Sequence, residues 1–321
     1  MKRRIYFYMA SAALLLTACS QDDGRTDNSG QVEITLSAQT AGIKAGTRAE
    51  TTVQTAQVAK DQHVGVYIYD AATTATTYSQ GYTKPNLDYT VSDNEGTLTI
   101  GQTLYFPNDD NGIKVFAYTP YRENWNMNGI NSFTVSSNQS EVTAYKASDL
   151  MMGHANGGST VERTKAPIPI TLDHLFSKVT IKLVKGAGLD DLKTVDYVYI
   201  KNTITSCNVT TENNLWKKTE TVGTTTTDIT VGTFAENFSE CSAIVVPQKI
   251  AKDKVFIQVH TNTNGTFNYP LPADLTLEKG KEYIYTITIG LYELIINNVT
   301  VTPWTDAFNK GDKGTETSVT L

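Results

Sequence analysis

The chain is poor in the residues that do chemistry. Its 321 residues include four histidines and three cysteines. None of His63, His154, His174 and His260 stands at metal-ligand spacing from another histidine, a cysteine or a carboxylate, so no metal site is expected. Asp173 and His174 look like a catalytic pair, but neighbours on a strand point to opposite faces, and a structural histidine is the expected role. Asp109-Asp110-Asn111-Gly112 lacks the spacing of a calcium loop and reads as a turn. No Gly-x-Ser-x-Gly elbow, phosphate-binding loop or dinucleotide fingerprint occurs, so neither an enzyme nor a cofactor is expected. Basic blocks are missing too. With 27 Lys and Arg against 33 Asp and Glu, the formal charge is −6, and nucleic acid is excluded as a partner. Beyond residue 19 the cysteines are Cys207 and Cys241. Two cysteines do not make a disulfide scaffold; they could pair in an oxidising compartment, or be two buried small hydrophobes. Long apolar runs are also lacking. Ile5 to Leu16 is too short to cross a bilayer, which takes ~20 residues.

What the chain does have is alternation. Hydrophobic residues make up 40% of it, enough for real cores. Val32-Glu33-Ile34-Thr35-Leu36-Ser37, Lys178–Leu183, Val255–His260 and Tyr283–Ile289 have the period of two of half-buried strands. Further strands are expected at Val64–Tyr69, Thr97–Ile100, Lys114–Tyr118, Val195–Asn202, Ala243–Val246 and Leu294–Val301. Polar turns such as Asn94-Glu95-Gly96 and Asn264-Gly265 separate them. No long 3.6-residue period is present. The expectation is an all-β chain of β-sandwiches. Gly157-Gly158, then Pro167 and Pro169, predict a boundary within Gly153–Pro169, giving an N-terminal sandwich at 49–165 and a C-terminal one at 166–321.

The N-terminus reads as a secretory signal peptide over residues 1–18: Lys2-Arg3-Arg4, the apolar stretch, then Thr17-Ala18. Leu16-Thr17-Ala18-Cys19 resembles the lipobox of bacterial lipoproteins, which implies acylation of Cys19 and a firm membrane tether. The acidic Ser20-Gln21-Asp22-Asp23-Gly24 resembles the signal that sends some Bacteroidales lipoproteins to the outer face of the outer membrane. Its composition also fits a plain linker.

Several segments, in order, resemble the Bacteroidales fimbrillin family, the subunits of type V pili. They are Gly46-Thr47-Arg48-Ala49-Glu50 before Val64-Gly65-Val66-Tyr67; Gly101–Pro107 followed by Val115–Tyr121; Ser148-Asp149-Leu150-Met151 with Leu172–Val179; and Leu277–Tyr283 with Trp304. The resemblance implies two tandem transthyretin-like β-sandwich domains. It also implies lipoprotein export, cleavage after an arginine and polymerisation with other pilin subunits by strand exchange, with a role in adhesion to a host or bacterial surface ligand. On this sequence, cleavage would fall between Arg48 and Ala49. It would remove lipid, linker and first strand together (residues 19–48), with Val32, Ile34 and Leu36 as the apolar side of that strand. An open edge so formed templates a strand from another chain.

The expected donor is C-terminal. Past Trp304 the tail is polar, and only Thr317–Leu321 alternates; Leu294–Val301 is the other candidate. A stalk subunit, an acceptor-only tip subunit and an unpolymerised relative all fit. The alternative reading is a permanently tethered surface lipoprotein that binds glycan or another ligand. Tyr121 and Trp125 could then line a sugar platform, although core packing is the commoner fate of such rings.

Overall fold

Strands form where the alternation predicts them, and in several places where it does not. The computed structural model describes residues 31–40, 58–72, 83–107, 111–187, 195–233, 240–262, 265–290, 292–304 and 317–318. In chain order the first elements are β1 (Leu36–Thr40), β2 (His63–Asp70), β3 (Thr83–Val91), β4 (Thr97–Thr99), β5 (Ile113–Thr119), β6 (Ile130–Thr134), α1 (Val142–Ser148), β7 (Met151–Ala155) and β8 (Ile168–His174). Then come β9 (Ser177–Lys185), β10 (Val195–Thr203), β11 (Ser206–Glu212), β12 (Leu215–Thr221), β13 (Thr227–Thr233), β14 (Glu240–Val245) and β15 (Gln248–Ile250). The last are β16 (Val255–Thr261), β17 (Gly265–Pro270), β18 (Leu275–Leu277), β19 (Lys281–Ile289), β20 (Leu294–Pro303) and β21 (Thr317–Ser318). The chain is nearly all β, as expected.

The N-terminal strands close on themselves. Their order is β1-β4-β3-β2-β5-β7-β8, and β8 returns to pair with β1 in parallel. The expected two-sheet sandwich is therefore hydrogen-bonded all the way round, because β1 bridges β4 and β8. Inside lie Ile34, Leu36, Ala38, Val64, Val66, Ile68, Val115, Ile170 and Leu172. The outward side of β2 and β5 is apolar as well, with Tyr67, Tyr69, Phe116 and Tyr118 buried in a second, larger cluster. Two covered faces explain why β2 is buried at nearly every position rather than at alternate ones.

The remaining strands build that second cluster. β14-β9-β19-β20-β21 and β13-β10-β16-β17 form two sheets that share it, with the smaller sheets β12-β11-β6 and β15-β18. The predicted division at 165/166 needs correcting. It falls between β7 and β8, which pair with each other from Met151↔His174 to Ala155↔Ile170. The chain leaves the barrel only after His174, while β6 pairs outside it with β11. Proline made the boundary look earlier than it is. Pro169 lies within β8, opposite Ser37 of β1, one residue beyond the last β7 pair, so its missing N–H removes no ladder bond.

Glycine is required where β7 meets β8. A Cβ on Gly153 would sit 1.7 Å from the carbonyl oxygen of Thr171. Backbone cannot yield as a side chain does, so Gly153→Ala is expected to destabilise the barrel by about 3 kcal/mol, the upper end for overpacking. Urea unfolding of the variant beside the parent protein measures this.

Candidate functional site: the first-strand position

β1 is held from both sides. On one side the Ile34 N–H donates to the Leu104 carbonyl at 2.8 Å, the Phe106 N–H to Val32 at 2.9 Å, and the Ala38 N–H to Gly96 at 2.8 Å. Glu33 bridges Tyr105, and Leu36 and Ser37 pair with Leu98 and Thr97 of β4. On the other side the Ile168 N–H donates to Thr35 at 2.9 Å, and Leu36 to Thr40 run in parallel register with Ile168 to Leu172. The predicted strand Val32–Ser37 thus continues to Thr40. It has no other attachment to the fold among the described residues than these two ladders and its side chains.

The side chains alternate as the sequence predicts. Ile34, Leu36 and Ala38 point inward, at 5%, 1% and 0% exposure. Val32 is half-buried against the same cluster. Thr40 takes the next inward position at 4% exposure, and its hydroxyl is buried without a hydrogen-bond partner. A buried hydroxyl left unpaired costs roughly 1–3 kcal/mol, so the last inward position of β1 weakens its hold. Beside the start of the strand lies an open cleft of about 300 Å³, lined by Gln31, Lys84 and Thr103–Pro107.

Removing β1 would leave a slot rather than a hole. Its walls would be the inward rows Leu98 and Ile168, Ile170, Leu172, together with unpaired groups of β4 and β8. Refilling such a slot takes an extended segment with apolar residues at alternate positions.

The other expected residues fall elsewhere. Cys19, Arg48 and Ala49 lie outside the described residues. Cys207 in β11 and Cys241 in β14 are free, buried thiols in different sheets, not a bridge. Burial pushes the Cys207 thiol up to about 12. Burial first, and then the Glu240 charge, push Cys241 up as well. Neither thiol is therefore activated. His174 is structural, as expected, but its partner is Asp149, 2.7 Å away, and not the adjacent Asp173. Trp125 is buried and stacks on Tyr118 with ring centres 4.8 Å apart, so it lines no surface platform. Tyr121 packs partly buried against the same cluster. Among the described residues no group of three side chains could hold a metal ion. The sequence reading missed β4 and β8 as the walls of the slot. The Ile168-Pro169-Ile170-Thr171-Leu172 alternation was the available signal.

Residues 47–304 match the family described as fimbrillin-like. A protein of Bacteroides uniformis that carries the name fimbrium subunit Fim1C is 27% identical, over 98% of this chain and 99% of its own length. A crystal structure from Bacteroides ovatus, described as a cell adhesion protein, superposes with a TM-score of 0.63 at 18% identity, covering 85% of this chain and 98% of the other. The tip fimbrial protein Mfa3 of Porphyromonas gingivalis, with its C-terminus truncated, reaches 0.52 at 10% identity, over 85% and 100% of the two chains. These superpositions show a shared fold.

Two tests address the slot and the buried groups. Leu36→Ala is expected to lower stability by about 2–5 kcal/mol, whereas Thr40→Val, which removes the unpaired hydroxyl, is expected to raise it by about 1 kcal/mol. Thermal unfolding of both variants measures the difference. The second test is alkaline. Burial raises the Cys207 and Cys241 thiols and the phenols of Tyr67, Tyr118, Tyr145 and Tyr285. Each group holds its proton more tightly in the folded state than in the unfolded chain, where thiols titrate near 9.0 and phenols near 10.0. Their contribution is fully present below those values and is lost as pH rises from them through the higher values of the folded state. The urea midpoint is therefore expected to fall as pH rises above about 9, while a thiol reagent at about pH 8 labels neither cysteine until denaturant is added.

Proposed function

The chain belongs to the fimbrillin-like family, whose members are structural subunits of fimbriae rather than enzymes, and on that premise we propose that β1 is a removable plug whose loss starts assembly. In this reading the protein is exported as a lipoprotein acylated on Cys19, reaches the cell surface through the outer membrane, and is cut between Arg48 and Ala49. Lipid, linker and β1 leave together. The vacated slot then accepts a strand from another pilin subunit, and the assembled pilus serves adhesion.

One observation carries the proposal: β1 alone bridges β4 and β8, and it lies upstream of Arg48 in the chain. The magnitudes favour refilling. Burial of Ile34 and Leu36 is worth roughly 3–6 kcal/mol together, taking ~1.5–3 for each. Each ladder bond adds roughly 0.5–1.5 kcal/mol. A typical domain has only about 5–15 kcal/mol of total stability, so an empty slot would endanger the barrel. A donated strand restores both terms at once.

Two of the other arginines have described positions. Arg122 and Arg163 are the two arginines among the described residues. The Arg122 N–H donates to the Tyr118 hydroxyl at 3.0 Å, and the Asn86 amide donates to the Arg122 carbonyl at 3.0 Å. Arg163 donates through Nη2 to the Pro107 carbonyl at 2.6 Å. The bonds at Arg122 hold its backbone, which counts against cleavage there, whereas Arg163 is held through its side chain alone.

The reading takes a C-terminal donor, and both candidate segments touch the chain's own sheet. Leu294–Val301, the other candidate, is committed to the chain's own sheet: β20 pairs with β19 along its whole length, from Ile289↔Leu294 to Lys281↔Pro303. Thr317 and Ser318 pair at the edge of the same sheet with Val301 and Thr300, so a Thr317–Leu321 donor would have to leave that position first.

Treatment of the purified protein with an arginine-specific protease is expected to give a new N-terminus at Ala49 and SDS-resistant ladders, and Arg48→Ala is expected to abolish both. Trimming without oligomers, alone or with other subunits, would instead favour a tethered surface lipoprotein that binds its ligand as a monomer. Cys19→Ala is expected to release the protein from the membrane fraction of the producing cell.

A further inference from the structure

The sheet β13-β10-β16-β17 lies away from the first-strand slot, and its two faces differ sharply. The inner face is apolar: Val198, Ile200, Ile257 and Val259 are fully buried. Alternation therefore sends Tyr197, Tyr199 and Lys201 of β10 outward, where Tyr197 stands opposite His260 of β16 and Tyr199 opposite Gln258. An irregularity between Val195 and Tyr197 brings Asp196 to the same side, within reach of His260. Both tyrosines are half-buried, and Asn268 of β17 is exposed.

The rings of this outer face hold one another. His260 stacks on Tyr197 with centres 4.5 Å apart and planes 15° from parallel. Tyr199 follows at 4.8 Å from Tyr197, inclined by 56°, and Lys201 Nζ stands 5.8 Å over it. The polar groups are tied to each other as well. Lys201 donates to Asp228 at 2.6 Å and to Gln258 at 3.4 Å, and the Gln258 amide donates to Asn268 at 2.7 Å. His260 Nδ1 lies 2.9 Å from Asp196 and donates to it, because a carboxylate can only accept. Each of these bonds uses one atom of a two-atom group. The second carboxylate oxygens of Asp196 and Asp228, the Asn268 amide nitrogen and the two phenol hydroxyls have no hydrogen-bond partner among the described residues. They are fixed in place and free to bond outward.

We propose that this face binds a neutral oligosaccharide, with sugar C–H bonds against the tyrosine rings and sugar hydroxyls on Asp228 and Asn268. The charges of the face are closed within it, Lys201 against Asp228 and His260 against Asp196. An anionic ligand would have to displace Asp228 from Lys201, and a cationic one Lys201 from Asp228, whereas an uncharged ligand displaces neither. A sugar ring sets polarised C–H bonds on the negative face of an aromatic ring. Its hydroxyls donate and accept at once, which suits carboxylate oxygens and an amide N–H that are already held still. Asp228 and Asn268 lie on the two outer strands, three strand spacings apart, or roughly 14 Å, so the site takes an oligosaccharide rather than a single sugar. A flat face binds weakly by itself. Repetition on every subunit of a fibre raises the affinity by roughly 10²–10⁴-fold. The assignment names a ligand class for the adhesive role proposed above and rests on that reading for its purpose.

The test uses the full exported chain carrying Arg48→Ala, so that neither trimming nor assembly enters. The protein is displayed densely on beads and presented to an array of neutral, sialylated and sulfated oligosaccharides. Binding to neutral members is expected, with a loss of at least ~10-fold in Tyr199→Ala. Asn268→Ala, at an exposed position, is expected to lose about 3–10-fold and serves if Tyr199→Ala fails to fold. Lys218→Ala, in the separate sheet β12-β11-β6, is expected to bind as the parent does. Binding to no member, binding confined to sialylated or sulfated members, or full binding by both Tyr199→Ala and Asn268→Ala would overturn the proposal. So would self-association of the chain that Tyr199→Ala abolishes, since the face would then be a contact between copies. Ladders from the trimmed parent protein without glycan binding would leave assembly standing and remove this site alone. Neutral glycan binding without ladders would support the site on a subunit that does not polymerise.

Discussion

A sheet has edges unless something closes it, and in this protein the closing piece is β1. Its backbone satisfies groups of β4 on one side and of β8 on the other, and its inward residues Ile34, Leu36 and Ala38 fill the space between them. Every other neighbouring pair in the barrel is joined without it. Closure, core filling and register of β8 therefore depend on a strand that is joined to the rest of the barrel along the chain through residues 41–57. Under the function proposed above, one cut downstream of β1 would remove it.

The consequences extend past the barrel because the two halves of the fold are not independent. The outer faces of β2 and β5 are packed into the larger cluster through Tyr67, Tyr69, Phe116 and Tyr118. β6 leaves the barrel's stretch of chain to pair with β11. His174, at the end of a barrel strand, stacks on Trp304, at the end of a strand from the other sheet. The last barrel strand and the end of β20 thus share one buried contact, and breaking the Asp149–His174 pair within it would be costly.

Much of this was legible beforehand. Strands with strict alternation formed where expected: Tyr283–Ile289 has one buried face, and Lys178–Leu183 formed as well although Lys178 and Thr180 on its polar face are also buried. The first strand was readable too, down to Ile34 and Leu36 as its inward side. Strands that break the pattern were not. β3 contains Pro85 and the positive-φ Asn86, and β8 contains Pro169. Pro169 read as an interruption because the rule against proline concerns missing donors, and which donors are needed depends on neighbours. The helix α1, seven residues long, is too short to show a helical period.

Local pattern alone settled the all-β character, the inward side of the first strand, and its place upstream of Arg48 in the chain. These follow from side-chain period and from succession, which are properties of the chain as a string. The tertiary structure decided which strands flank β1, that Cys207 and Cys241 stay apart as thiols, and that Asp149 rather than Asp173 meets His174. Those pairings join residues far apart in the chain. They are chosen by register and by the joint packing of two cores, and no window of sequence contains that information.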